Sequence, residues 1–189
     1  MEEQQSPTVE KSETWSWIKS IGIALVLVFL ARTFLFSAIL VDGISMEPTL
    51  HDGDRMFVNK ISYRLSEPKR QDIIVFHSPD GRDFVKRIIG VPGDTVRYEN
   101  DQLFVNDEQV SEPYLDEFKA MDRVGSFTED FELSQKIGST TVPEGHLFVL
   151  GDNRRRSIDS RAIGVIPIEE VVGKTSLTFW PMSSIGFPK

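Results

Sequence analysis

A serine and a lysine in this chain have the chemistry and the surroundings of a catalytic pair. Ser45 follows Gly43 by two residues, and a glycine there lets the backbone approach a substrate closely. Lys86 lies in an alternating run that predicts a strand, with Phe84 and Ile88 on the same face. Apolar neighbours desolvate an amine and lower its pKa, and a neutral amine can take the proton of a serine hydroxyl. The pair therefore predicts a Ser45 nucleophile with Lys86 as its general base.

A third segment, residues 151–161, reads GDNRRRSIDSR and directly follows an apolar run. So many hydrogen-bonding groups after a predicted strand indicate a loop that braces an active site. Each feature also has a simpler interpretation. Ser45 could cap a helical turn, Lys86 could protect an edge strand, and the loop could be a solvated turn with surface ion pairs.

Histidine, cysteine and metal chemistry are poorly supported by this sequence. A Ser-His-Asp triad would need His51, His77 or His146 to approach Ser45, and no Gly-x-Ser-x-Gly motif accompanies it. The histidines also lack metal-ligand spacing. The chain has no cysteine, which excludes disulfides, a cysteine nucleophile and thiolate metal sites. We expect neither a metal nor an organic cofactor.

The net charge of −8 argues against a nucleic-acid partner, because phosphate binding needs a basic face. Much of the acidity is concentrated in residues 107–136, where nine acidic side chains accompany three basic ones. The acidic residues are Asp107, Glu108, Glu112, Asp116, Glu117, Asp122, Glu129, Asp130 and Glu132. We interpret residues 107–141 as a solvated acidic lobe whose carboxylates take no direct part in catalysis.

Residues 15–36 form an apolar stretch that we interpret as a single transmembrane anchor. Trp15 and Trp17 would lie at one membrane interface. The alternative is a cleavable signal peptide, which the acidic N-terminal tail opposes. Residues 1–14 then form a disordered cytoplasmic tail, and residues 37–189 form one domain outside the cytoplasmic membrane. The lysine and arginine bias that supports this orientation is weak.

Short apolar runs separated by turn signals predict a mainly β domain with an antiparallel barrel or sandwich-like architecture. The predicted strands cover residues 39–41, 55–59, 72–76, 83–89, 95–98, 102–105, 146–150 and 175–180. No long helix is expected beyond the anchor. This arrangement would place Ser45, Lys86 and the 151–161 loop in one folded unit.

Three motifs in this order behind an apolar segment closely resemble those of bacterial type I signal peptidases, also called leader peptidases. They are SMEPTL at residues 45–50, KRIIGVPGD at residues 86–94, and GDNRRRSIDSR at residues 151–161. The resemblance extends from the anchor to about Trp180, and the single span is similar to the Gram-positive form.

The resemblance implies a membrane-bound Ser-Lys endopeptidase that removes signal peptides from exported preproteins. Cleavage would follow small residues at positions −1 and −3 of an extended substrate, beside membrane lipid and possible export machinery. Ser45 matches the nucleophile and Lys86 the general base. Ser157 matches a hydroxyl that orients the lysine, while the remaining matched residues shape the site: Asp152, Asn153, Asp159 and Arg161.

The sequence departs from some family members at Gly43, where they carry a serine or threonine that helps to hold the oxyanion. We therefore expect an oxyanion hole made of the backbone amides of Ser45 and Gly43. Two rival interpretations stay open at this point. One is a related self-cleaving repressor-type protease, and the other is an inactive, tethered β-domain that binds peptides or proteins.

Overall fold

The computed structural model describes residues 13–121 and 125–188, which form two compact units. The first unit ends at Phe36 and contains helix α1 (Glu13–Phe34). The predicted N-terminal helix is therefore present. Within the described residues, no helix combines the length and apolar character needed to cross a membrane. The predicted disordered tail, residues 1–14, lies almost entirely outside the described part of the chain.

The second unit begins at Ser37 and is built mainly of two antiparallel sheets. The seven-stranded sheet has the order β1-β2-β11-β3-β4-β9-β10. Its strands are β1 (Phe36–Leu40), β2 (Arg55–Asn59), β3 (Ile73–His77), β4 (Asp83–Gly90), β9 (His146–Leu150), β10 (Ile166–Pro167) and β11 (Val171–Trp180). The predicted strands are found with small shifts at their ends, and β11 begins earlier than expected.

The four-stranded sheet has the order β7-β6-β5-β8. It consists of β5 (Val96–Glu99), β6 (Gln102–Val105), β7 (Glu108–Val110) and β8 (Phe131–Glu132). The predicted hairpin is β5 and β6, whose register pairs Val96 with Val105. Both outer strands, β7 and β8, therefore lie within the acidic part of the sequence.

The helices of the second unit are short and lie between strands. They are α2 (Ser62–Leu65), α3 (Asp116–Met121), α4 (Leu133–Ile137) and α5 (Ser160–Ile163). In the described chain, α1 is the one long helix, as the sequence predicts. Asp159 caps the first turn of α5, where its side chain accepts a hydrogen bond from the Arg161 amide.

Three groups of buried apolar side chains hold the second unit together. One joins the small sheet to β4 and β9 through residues such as Tyr98, Phe131 and Phe148. A second lies among β3, β4 and β9. The third contains Met46 and Leu50, which lie one and five residues after Ser45. Burial of these two side chains anchors residues 41–54, called the nucleophile loop after the predicted role of Ser45, to the core.

Strand register brings two of the sequence motifs together. In β4, Arg87 pairs with Leu150 of β9, so Lys86 lies close to the start of the 151–161 loop. On its other side, Lys86 pairs with Ile74 of β3. Central strands of a sheet are rigid, and Lys86 is therefore held more precisely than a loop residue would be.

Candidate active site

Ser45 and Lys86 are in direct contact. The Nζ atom of Lys86 lies 2.7 Å from the Oγ atom of Ser45, at hydrogen-bonding distance. The lysine also donates to the Val85 carbonyl at 3.0 Å, which fixes the direction of its side chain. The two predicted catalytic residues thus have the geometry that proton transfer between hydroxyl and amine requires.

Burial lowers the pKa of Lys86 from its ordinary value of 10.5 to about 8. The side chain is buried, and its ammonium form loses hydration there. The carboxylates of Asp159 and Asp152 oppose this effect, because negative charge favours the ammonium form. A pKa of about 8 leaves a useful fraction of neutral amine near physiological pH.

Asp152 is buried and paired rather than solvated. Arg87 donates to its two carboxylate oxygens through Nε at 2.9 Å and Nη2 at 2.7 Å. Thr49, four residues after the nucleophile, donates its hydroxyl to the same carboxylate at 2.5 Å. Asp152 therefore ties the nucleophile loop to strand β4, and a simple surface ion pair does not describe it.

Asn153 holds the main chain of the nucleophile loop. Its backbone N–H donates to the Ser45 carbonyl at 3.1 Å, and its side-chain Nδ2 donates to the Ile44 carbonyl at 3.1 Å. These two bonds fix the peptide groups on either side of the Ser45 Cα atom. Asn153 therefore holds the main chain around Ser45 in place, which agrees with the supporting role expected for it.

Asp159 and Arg161 stabilise the end of the 151–161 loop. Asp159 is buried, accepts the Gly151 amide at 3.1 Å, and pairs with Arg161 through two bonds of 2.8 Å. Arg161 also donates to the Arg154 carbonyl at 2.7 Å. The carboxylate thus links both ends of the loop.

Ser157 does not form the hydrogen bond to Lys86 that the family resemblance implies. Its buried Oγ atom has no hydrogen-bond partner among the described residues, because Lys86 donates to Ser45 and Val85 instead. Ser157 nevertheless packs beside the catalytic pair. A Cβ atom built on Gly151 would lie 2.2 Å from the Ser157 Oγ and 2.5 Å from the Ser45 carbonyl oxygen.

The two predicted oxyanion donors differ in availability. The Gly43 N–H already donates to the Asp52 carboxylate at 2.7 Å. The Ser45 N–H makes no hydrogen bond to the described residues. Gly43 has a φ of +99°, which a glycine adopts readily. The Gly43 turn therefore shapes the loop, and the Ser45 amide is the donor left for a substrate.

A cleft of about 500 Å³ opens beside the pair. Its walls come from β1, from the first half of β4 and from residues 42–46, with Arg156 and Ile158 at its edge. Phe84 lies in the wall, with its ring centre 5.1 Å from the Lys86 Nζ. The cleft thus joins apolar surface to the hydroxyl of Ser45 and the amine of Lys86.

The histidine alternative is not supported by the geometry. The structure describes all three histidines, and none of them hydrogen-bonds to Ser45. His77 contacts Asp83 and His146 contacts the Glu144 carbonyl. No group of three or more histidine, cysteine, aspartate or glutamate residues in the described segments could hold a metal ion.

Sequence reasoning missed three residues of this site: Arg87, Thr49 and Glu112. Arg87 carried a signal, since a charged residue beside Lys86 in an apolar strand needs a buried partner. Glu112 contradicts the prediction that the acidic lobe is solvated throughout, because it is buried against Arg154 at 2.6 Å. The described acidic residues of the lobe are otherwise exposed.

Comparison with known proteins identifies the family of this chain. The model of the signal peptidase family, peptidase S26, matches residues 14–180. The chain belongs to this family. It is 44% identical over 178 residues to a signal peptidase I of Bacillus caldolyticus, covering 94% of this chain and 96% of the relative. It is 46% identical over 185 residues to a signal peptidase I of Bacillus licheniformis, covering 96% and 97%.

A solved structure is also similar. The crystal structure of a signal peptidase I from Enterococcus faecalis V583 matches with a TM-score of 0.55 and 45% identity. The match covers 58% of this chain and 97% of that chain. The predicted family, the enzyme class and the mainly antiparallel β fold are confirmed by these relatives. Membership in S26 also disfavours the inactive binding domain and the repressor-type protease.

Proposed function

We propose that this chain removes N-terminal signal peptides from exported preproteins as a serine endopeptidase with a Ser45–Lys86 dyad. The observation that carries the proposal is the 2.7 Å contact between the Lys86 amine and the Ser45 hydroxyl. Family membership supports the substrate class. The low pKa of Lys86, about 8, supports its role as the base.

The geometry supports a two-step reaction. Neutral Lys86 takes the Ser45 proton as Oγ attacks the carbonyl carbon of the last residue of the signal peptide. The Ser45 N–H stabilises the negative charge that develops on the carbonyl oxygen. The C–N bond then breaks, and the Lys86 ammonium donates its proton to the departing amine of the mature protein. Water then attacks the ester carbon while Lys86 takes its proton; the bond from that carbon to Ser45 Oγ breaks, Oγ receives the proton from Lys86, and the signal peptide leaves as a carboxylate.

The cleft supports binding of an extended peptide. Strand β1 is the outermost strand of the seven-stranded sheet, and β4 contributes the opposite wall. An extended substrate between them could form main-chain hydrogen bonds, as peptides do at sheet edges. We propose that small side chains at −1 and −3 fit against the apolar part of the wall, which includes Ile39, Val75 and Phe84. No cofactor enters this proposal.

We also propose that the enzyme works at the outer face of the cytoplasmic membrane, next to lipid and the export machinery. This part rests on the apolar sequence of residues 21–31, with residues 15–36 as a single span. The chain has no cysteine, so in a Glu129→Cys variant a thiol reagent labels position 129 alone and shows on which side of the membrane the domain lies. A membrane-impermeant maleimide should label it in intact cells stripped of their wall. Labelling only after lysis would contradict the orientation.

Cleavage of a preprotein with an Ala-x-Ala site tests the catalytic proposal. Wild-type protein in detergent should release the signal peptide, while Ser45→Ala and Lys86→Ala should not. Both variants should unfold cooperatively like the wild type. Activity that survives in either variant would remove that residue from the mechanism. Absence of cleavage by the wild type would favour the peptide-binding alternative.

A further inference from the structure

A cluster of buried polar side chains lies beside the active-site loop and has no part in the proposed reaction. Arg154 donates to the Glu112 carboxylate at 2.6 Å and also contacts the Tyr98 hydroxyl. Both Tyr98 and Tyr114 donate to Glu112, the latter at 2.8 Å. We call these four residues the Glu112 cluster. The ion pair is almost fully buried, with side-chain exposures of 0% for Arg154 and 2% for Glu112.

The cluster is connected to the nucleophile through Arg154. The Nε atom of Arg154 donates to the Gly151 carbonyl at 2.9 Å. Gly151 lies directly against the Ser45 carbonyl oxygen, and the Asn153 amide donates to that same oxygen. A change in the position of Arg154 therefore moves the residues that hold the peptide group of Ser45.

A second connection runs through Tyr114. The Arg87 guanidinium lies 3.7 Å from the centre of the Tyr114 ring. Arg87 in turn holds Asp152, which accepts the Thr49 hydroxyl of the nucleophile loop. Glu112 and Tyr114 thus reach the loop around Ser45 from two sides, although both belong to the acidic lobe.

We propose that Glu112 is a positioning residue, which holds residues 151–157 against the main chain of Ser45 through Arg154. Glu112 compensates the buried charge of Arg154 and so keeps its Nε atom on the Gly151 carbonyl. Without that negative charge, a buried guanidinium lowers its free energy by moving toward water. The acidic lobe would thereby set the geometry of catalysis without touching the substrate. This inference rests on the proposed peptidase function.

The first test compares Glu112→Gln with Glu117→Gln in the full-length enzyme. Glu117 is an exposed carboxylate of the same lobe and serves as the matched control. We expect Glu112→Gln to lower kcat about tenfold with KM changed less than about twofold, because a small misplacement of reacting groups slows chemistry strongly. Glu117→Gln should behave as the wild type. An unchanged kcat in Glu112→Gln would overturn the proposal.

A double variant separates positioning from stability. Glu112→Gln with Arg154→Met removes both buried charges while glutamine still accepts the tyrosine hydroxyls. Its unfolding midpoint should recover toward the wild type, since no uncompensated charge is left. Its kcat should stay low, because the hydrogen bond to Gly151 is missing. Recovery of kcat together with stability would show a merely structural role and overturn the proposal.

Hydrogen exchange supplies a readout that does not depend on cleavage. In Glu112→Gln, amides of residues 151–157 should exchange at least about tenfold faster, while β3 and β9 stay protected. If the wild type cleaved no preprotein, the proposed function would fail, and this measurement would still decide the positioning role. Unchanged exchange in residues 151–157 would contradict that role.

Discussion

Lys86 and Ser45 are joined by a 2.7 Å hydrogen bond between Nζ and Oγ, with the lysine on a central strand and the serine on a loop. The strand fixes Lys86, and the loop that carries Ser45 is fixed by other contacts. The buried side chains of Met46 and Leu50 anchor this loop to the core, and Asn153 hydrogen-bonds to its main chain. A buried amine is therefore placed against a hydroxyl before any substrate arrives, which is what preorganised catalysis requires.

The pH dependence of cleavage should report the lowered pKa of Lys86. Since that pKa is about 8, the amine is mostly protonated below pH 8 and cannot accept the Ser45 proton. We expect kcat/KM to fall about tenfold per pH unit well below pH 8 and to level off above it. A profile from pH 5.5 to 10 with one preprotein measures this. A flat profile between pH 6 and pH 9 would contradict Lys86 as the base.

Lys86→Met should give an inactive but more stable protein. The folded pKa of Lys86, about 8, lies below its ordinary 10.5, so folding opposes the charged form at pH 7. The stability of the wild type therefore rises as pH increases from 8 toward 10.5. Removing the buried ammonium should raise the free energy of unfolding by about 1–3 kcal/mol at pH 7, measured by denaturant titration.

The control for this effect is Lys69→Met, which changes an exposed lysine. It should leave the free energy of unfolding within about 0.5 kcal/mol of the wild type. The advantage of Lys86→Met should also shrink as the pH approaches 11, where the wild-type amine is neutral in both states. An equal advantage at pH 7 and pH 11 would point to packing rather than charge.

Much of this arrangement could be predicted from the sequence because its signals are local. Alternation in β4 gave the face of Lys86, and the apolar run before residue 151 gave strand β9. Contacts between distant segments had no such signal. The pairing of Glu112 with Arg154 joins a lobe to a loop, and composition indicated that the lobe was solvated. The Ser157–Lys86 bond is likewise absent because the Lys86 amine donates to the Ser45 hydroxyl and the Val85 carbonyl, and no sequence pattern shows which acceptors it takes.

Gly151→Ala should disrupt the site through a steric clash. An added Cβ would lie 2.2 Å from the Ser157 Oγ and 2.5 Å from the Ser45 carbonyl oxygen. Because the second contact is with backbone, the nucleophile loop must move. We expect kcat/KM to fall at least about 100-fold. Gly186→Ala is the control, since its Cβ would meet nothing within 4 Å. Normal activity in Gly151→Ala would show that the loop can shift freely.

Arg87→Met should both destabilise the fold and shift the pH profile. It leaves Asp152 buried without its cation, which costs about 3–5 kcal/mol in comparable cases. The unneutralised carboxylate would also favour the Lys86 ammonium, so the acid limb should move to higher pH. Arg87→Met with Asp152→Asn should reverse both effects in part. A shift to lower pH would contradict the influence of Asp152 on Lys86.

Substitutions at Gly43 test how the oxyanion is held. Gly43 has a φ of +99° and open space around a built Cβ, so alanine and serine suffer the same backbone strain without a clash. Only serine adds a hydroxyl donor two residues before Ser45. We expect both variants to lose some stability and Gly43→Ser to exceed Gly43→Ala in kcat by about tenfold or more.

The effect of backbone strain at position 43 cancels when the rates of these two variants are compared, because both variants carry it. Single-turnover cleavage at saturating enzyme measures the chemical step directly. Equal rates would mean that the hydroxyl does not reach the oxyanion and that the Ser45 amide is sufficient. A rate for Gly43→Ser above the wild type would mean that the wild-type site lacks one donor, since Gly43 commits its own amide to Asp52.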